Sequence, residues 1–142
     1  MDNRDNQLRH SLGAHDIILT AQGAYYALTG LWALVHIGSF QWVTGPKVDT
    51  WLVKTVGALV LVSGTVMAAS GFRRRDLPEI RALAAGSAAA FTLIDTIYVA
   101  KRRISPVYLL DAVAEVGFVL AWFASRPWNN QAPLVATQRP GH

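Results

Sequence analysis

Cysteine is absent from the 142 residues, which removes disulfides, thiolate nucleophiles, Cys-ligated zinc and iron–sulfur clusters together. Charge is scarce as well: 15% of the residues are Asp, Glu, Lys or Arg, against about 25% in ordinary soluble domains. A cytosolic enzyme is therefore a poor fit. Gly-x-Ser-x-Gly, Walker and Rossmann patterns are missing, as are Glu-x-x-His and His-Glu-x-x-His spacings. Nucleophilic hydrolysis and nucleotide binding have no positive support; His36, Asp95, Asp111 and Glu115 could supply a carboxylate-rich metal site, but without the spacing of a di-iron or zinc centre, so no metal and no cofactor are expected.

What is present is apolar and segmented. Residues 17 to 37, 52 to 71, 82 to 100 and 107 to 125 hold 79 residues but only four of the 22 charged ones: Lys54, Asp95, Asp111 and Glu115. That distribution is membrane partitioning. Runs of 19 to 21 residues, at ~1.5 Å per residue, cover about 30 Å, the thickness of a bilayer's hydrocarbon core. No strand-length alternating segments are available for a barrel, so the spans must be helices, which satisfy their own backbone polar groups in lipid. The expected fold is all-α, an integral membrane up-down-up-down four-helix bundle over residues 1 to 126. The tail from 127 to 142, with three prolines and no periodicity, is expected to be disordered. The run 17 to 37 has no cleavage site and is longer than a signal peptide's apolar core, so it reads as a retained span.

The connections carry their own signals. Residues 38 to 51, with Gly45-Pro46, Trp42 and Trp51, read as an interfacial loop anchored by aromatics. Pro78 followed by Glu79 marks a helix start. Residues 101 to 106 make a short turn between spans three and four. The formal net charge is +4, yet the basic residues sit in runs at span ends, Arg73-Arg74-Arg75 and Lys101-Arg102-Arg103. Those runs meet lipid phosphates and set topology; no nucleic-acid partner is expected. Eight basic residues lie on the side of the termini and second loop, and five on the other. Both termini are therefore expected in the cytoplasm. Gly57, Gly64 and Gly71 repeat every seven residues on span two, as do Gly23 and Gly30 on span one, and the Ala-rich start of span three adds a third small surface. Such stripes let helices approach closely in lipid, within one chain or in a homo-oligomer.

The intramembrane charges converge on one leaflet. The end of span one, the start of span two, the end of span three and the start of span four bring His36, Lys54, Asp95 with Tyr98, and Tyr108 with Asp111 and Glu115 to the same half of the bundle. A carboxylate at bilayer depth costs at least ~2.5–3.5 kcal/mol on insertion scales, and three of them make a functional-site hypothesis. Asp111 and Glu115 are i,i+4 neighbours, and Phe118 and Trp122 extend their stripe. Tyr25, Thr29, Trp32 and His36 share a face of span one, and the two faces are expected to meet. Glu115 lies nine residues past Pro106, ~13 Å along the helix, deep enough to require a cation or a proton. The plainer alternative is structural: Asp95 and Asp111 neutralise the Lys-Arg-Arg turn while Lys54 snorkels. The candidate ligand-binding set is thus His36, Lys54, Asp95, Tyr98, Tyr108, Asp111, Glu115, Trp32 and Trp122.

The run QGAYYALTGLWALVHIGSFQWVTGPKVDTWLVKTVG, residues 22 to 57, resembles a pattern of small uncharacterised bacterial four-helix membrane proteins. The resemblance implies a bacterial inner-membrane setting and attaches no activity. Its most specific part, VTGPKVDTW, offers Thr44, Gly45, Lys47 and Asp49 as a cap over the acidic half-bundle. Three functions remain open. One is binding of a small lipid-like or cationic ligand, or a partner helix, with membrane lipids as surroundings. Another is a small lipid isomerase, resembling in outline the carboxylate-plus-tryptophan logic of sterol isomerases, with Glu115 and Asp111 shuttling protons beside Trp32 or Trp122. The third is an oligomeric proton-coupled transporter exchanging at Glu115.

Overall fold

A computed structural model describes residues 13–125. The expected disordered tail and the polar first ten residues lie outside them. Among the described residues every regular element is helical: α1 (Ala14–Val35), α2 (Ile37–Thr44), α3 (Thr50–Phe72), α4 (Pro78–Ala100) and α5 (Tyr108–Ala124). Helices α1, α3 and α4 are long and apolar enough to cross a membrane. At 17 residues, α5 sits at the short limit for a crossing.

Local chemistry sets the ends. Asp16 Oδ2 accepts the Gly13 N–H at 3.2 Å, which draws the start of α1 three residues ahead of the expected boundary. Pro78 occupies the first turn of α4 with Glu79 beside it. Both basic triplets close a helix: Arg74 (φ 53°) and Arg102 (φ 54°) are left-handed, and the next N–H groups reach back, Arg75 to Ser70 O at 2.9 Å and Arg103 to Tyr98 O at 2.9 Å. This is the wrapped C-cap that glycine usually supplies. Arginine adds positive charge at the negative end of the helix dipole.

Residues 38 to 51 are not a plain loop. His36, with φ −135°, breaks α1, and its Nδ1 accepts the Ser39 N–H at 3.4 Å, starting the short helix α2. Gly45, with φ 89°, ends it. Trp42 and Trp51 are 86% and 68% exposed, as interfacial anchors are.

The most extensive helix contact is α1 against α3, and α4 pairs with α5 as a hairpin. Glycine decides the first pair. A Cβ on Gly64 would meet the Ala27 N and the Gly23 O, one on Gly30 the Gly57 O and Leu61 N, and one on Gly71 Thr20 and the Asp16 O. The register 23 to 64, 30 to 57 and 16 to 71 is antiparallel, with backbone on backbone. The small start of α4 is used in part: Ala84 and Ala88 are fully buried, whereas a Cβ on Gly86 meets nothing within 4 Å. The two pairs join through Leu19, Tyr26, Met67, Ala84 and Trp122. Leu28, Leu59, Val62, Leu110, Val113 and Leu120 face outward and stay exposed, far more apolar surface than a water-soluble monomer carries.

Candidate ligand-binding site

At the α2 end of the molecule the two helix pairs part around a cavity of about 640 Å³. Helix α1 turns Tyr25, Tyr26 and Thr29 into it, and α5 contributes Tyr108, Asp111 and Glu115, one stripe at 3.6-residue spacing. Asp95 enters from α4, and Val53, Val56 and Val60 form the α3 wall. Pro46, Lys47, Val48 and Asp49 border the mouth together with Arg103, whereas Thr44 and Gly45 do not line the cavity.

The three carboxyl groups are bound inward. Glu115 is 1% exposed, and its Oε2 accepts the Tyr26 hydroxyl at 2.9 Å. Asp111 Oδ1 accepts the Tyr25 hydroxyl. Asp95 is 5% exposed and lines the same cavity as Asp111, while its Oδ2 is buried with no hydrogen-bond partner among the described residues. Arg81 pairs with Asp76, and His15 Nδ1 meets the same carboxylate. Neither involves the cavity acids: Asp111 and Glu115 turn to tyrosines rather than to Lys101, Arg102 or Arg103. Lys47 Nζ sits 4.9 Å from the Tyr108 ring centre and donates to the Thr44 O at 3.1 Å.

Tyr26 is fixed from behind. Its hydroxyl also accepts from Gln22 Nε2 at 3.2 Å, and Gln22, 0% exposed, donates to the Ala84 O at 2.8 Å and accepts the Trp122 indole N–H at 2.9 Å. Trp122 stacks on His15, centroids 5.7 Å apart, and His15 Nδ1 meets Asp76 Oδ2 at 2.9 Å. The line runs from cavity to opposite end, but a carboxamide and an indole do not relay protons. Its effect is to orient Tyr26 and hence Glu115.

Of the nine sequence candidates, Asp95, Tyr108, Asp111 and Glu115 come together. His36 is exposed and caps α2. Trp32 donates to Ser39 Oγ at 2.8 Å outside the cavity. Lys54 lies on an exposed face of α3, and Tyr98 is exposed beside Lys101, whose Nζ is 5.8 Å from its ring centre. Trp122 is buried in the other half, beside a second cavity of about 630 Å³ lined by His15 and Arg81. The faces expected to meet do so through Tyr25, whose ring lies 5.9 Å from that of Phe118; Trp32 and His36 take no part. Sequence reasoning missed Gln22 and Tyr26. The available signal was the 22, 26 spacing of the single carboxamide inside span one and a tyrosine one turn later.

No protein-family model, no curated protein and no solved structure matches the chain.

Proposed function

We propose that the chain is a four-pass protein of the bacterial inner membrane, an up-down-up-down four-helix bundle, that binds one small lipid-like molecule through a cationic head. The observation carrying this reading is the orphaned, buried Asp95 Oδ2 beside Asp111 and Glu115 at the inner end of an apolar cavity. Carboxylates withdrawn from water need a cation or further hydrogen bonds to offset desolvation. No side-chain cation pairs with them among the described residues; a ligand ammonium would supply the charge in place of a bound proton. Val56, Val60 and Phe91 offer hydrocarbon walls, and the volume falls within the ~300–1,000 Å³ of ligand pockets.

The test compares dodecylammonium with dodecanol, titrated into the protein in phosphocholine nanodiscs. The amine is expected to bind about tenfold or more tightly than the alcohol, the scale of one hydrogen-bonded charge contact, and Asp95→Asn to abolish that advantage. Equal binding of amine and alcohol would sink the proposal.

Topology is checked separately, and the absence of native cysteine makes labelling unambiguous. With both termini cytoplasmic, Val48→Cys beside the mouth should react with a membrane-impermeant maleimide in intact cells. Leu77→Cys, in the loop before α4, should react only after permeabilisation. The reverse pattern would invert the assignment.

A further inference from the structure

The cavity holds two sets of charge in a fixed order, the three acids inside and Lys47 and Arg103 at the mouth. Lys47 Nζ stands over the ring of Tyr108. Tyr108 precedes Asp111 by three residues on α5, ~4.5 Å of helix rise. Lys47 therefore stands over a residue that shares the acid-bearing wall of α5. One proton of Lys47 goes to the Thr44 O, and an ammonium has three.

The apolar side of the cavity leads outward. Helices α3 and α4 make little contact with each other, and the wall residues Leu52, Val56 and Ile94 between them are partly exposed. A head group seated in the cavity can therefore leave its hydrocarbon chains outside, along the α3–α4 seam. A volume of about 640 Å³ suits a head group of drug-like size and not two acyl chains.

We infer that the cavity receives the head group of a zwitterionic primary-amine phospholipid, its ammonium on Asp95, Asp111 and Glu115 and its phosphate on Lys47 and Arg103. This rests on the reading of the acids as an ammonium site and adds the phosphate and the lateral seam. A primary ammonium offers three N–H donors to three carboxyl groups, whereas a quaternary ammonium offers none. A phosphate without an amine would satisfy the mouth and leave the buried Asp95 oxygen orphaned, at the cost that attends any unpaired buried acceptor. Asp49 also borders the mouth; it is exposed, as Arg103 is, so water and salt screen both, and the half-buried Lys47 is the stronger of the phosphate contacts.

Delipidated protein in detergent, followed by native mass spectrometry, separates the alternatives. The probes are dioleoyl phosphatidylethanolamine, its phosphatidylcholine and phosphatidylglycerol counterparts, free phosphoethanolamine and hexadecylammonium. The ethanolamine lipid is expected to bind about tenfold more tightly than either counterpart, and free phosphoethanolamine to bind weakly for want of chains in the seam. The double substitution Lys47→Gln, Arg103→Gln should remove the lipid's advantage while hexadecylammonium binding holds or tightens, since two like charges are gone from the mouth. Should Lys47→Gln unsettle the loop, Arg103→Gln alone, at an exposed side chain, gives the same direction. If hexadecylammonium binds but the ethanolamine lipid binds no better than its counterparts, the phospholipid inference falls and the ammonium site stands. If neither binds, both fall. Tight binding of free phosphoethanolamine would overturn the lateral seam and point to a soluble ligand.

Discussion

Replacing Gly64 by leucine is expected to pull α1 away from α3. Even the first carbon of a new side chain would stand 2.6 Å from the Gly23 O and 2.7 Å from the Tyr26 Cβ, besides meeting the Ala27 N. Two of these are backbone atoms of a helix and cannot yield without moving it. Overpacking typically costs about 1–3 kcal/mol, and a leucine forced against backbone belongs at or beyond that upper end. The melting temperature in detergent should fall by on the order of 10 °C. Insertion should persist, because leucine is more apolar than glycine. Gly86→Leu is the control: a Cβ there meets nothing within 4 Å, so stability of the single chain should not change. Equal melting of Gly64→Leu and the parent would show that the face is not a helix interface. Because Tyr26 is carried on the displaced helix and holds Glu115 at 2.9 Å, amine binding should fall with stability.

Gln22→Leu should cost about 1–3 kcal/mol, the penalty of orphaning a buried donor. The donor is the indole N–H of Trp122, which has Gln22 Oε1 as acceptor at 2.9 Å. The substitution also frees Tyr26 from its second partner, so amine binding should weaken though Gln22 does not line the cavity. The decisive comparison is a double-mutant cycle. Trp122→Phe in the Gln22→Leu background removes the stranded donor and should recover part of the loss, since deleting both partners is far less costly than deleting one. Strictly additive losses would mean that the pair contributes nothing as a pair.

The helices were legible because apolar run length and glycine spacing are local properties. The seven-residue steps through Gly57, Gly64 and Gly71 and through Gly23 and Gly30 marked the faces that meet backbone to backbone. Asp95, Asp111 and Glu115 were legible for the opposite reason, being charges where charge is costly. What failed was register across a break. Trp32 and His36 were placed on the Tyr25 face by carrying one helix through residue 37, but the chain departs from helical geometry at His36 and restarts as α2. Lys54 was misjudged by rotation: the residues that reach α1 and the cavity are Val53, Val56 and Gly57, which leaves Lys54 on the outer face. Gln22 and Tyr26 carry no formal charge, so no insertion penalty drew notice to them, and their importance follows from partners 62 to 100 positions away.

The unequal helix lengths bear on where such a protein resides. In the four-pass reading α3 and α4, at 23 residues each, rise about 34 Å, whereas the 17 residues of α5 rise only about 25 Å. The lipid annulus must therefore be thinner beside α5 than beside its neighbours. Each ångström of mismatch costs a fraction of a kcal/mol, enough to sort proteins among bilayers of different thickness. Short-chain lipids should gather along α5 and long-chain lipids along α3 and α4, making the chain sensitive to acyl length in its surroundings.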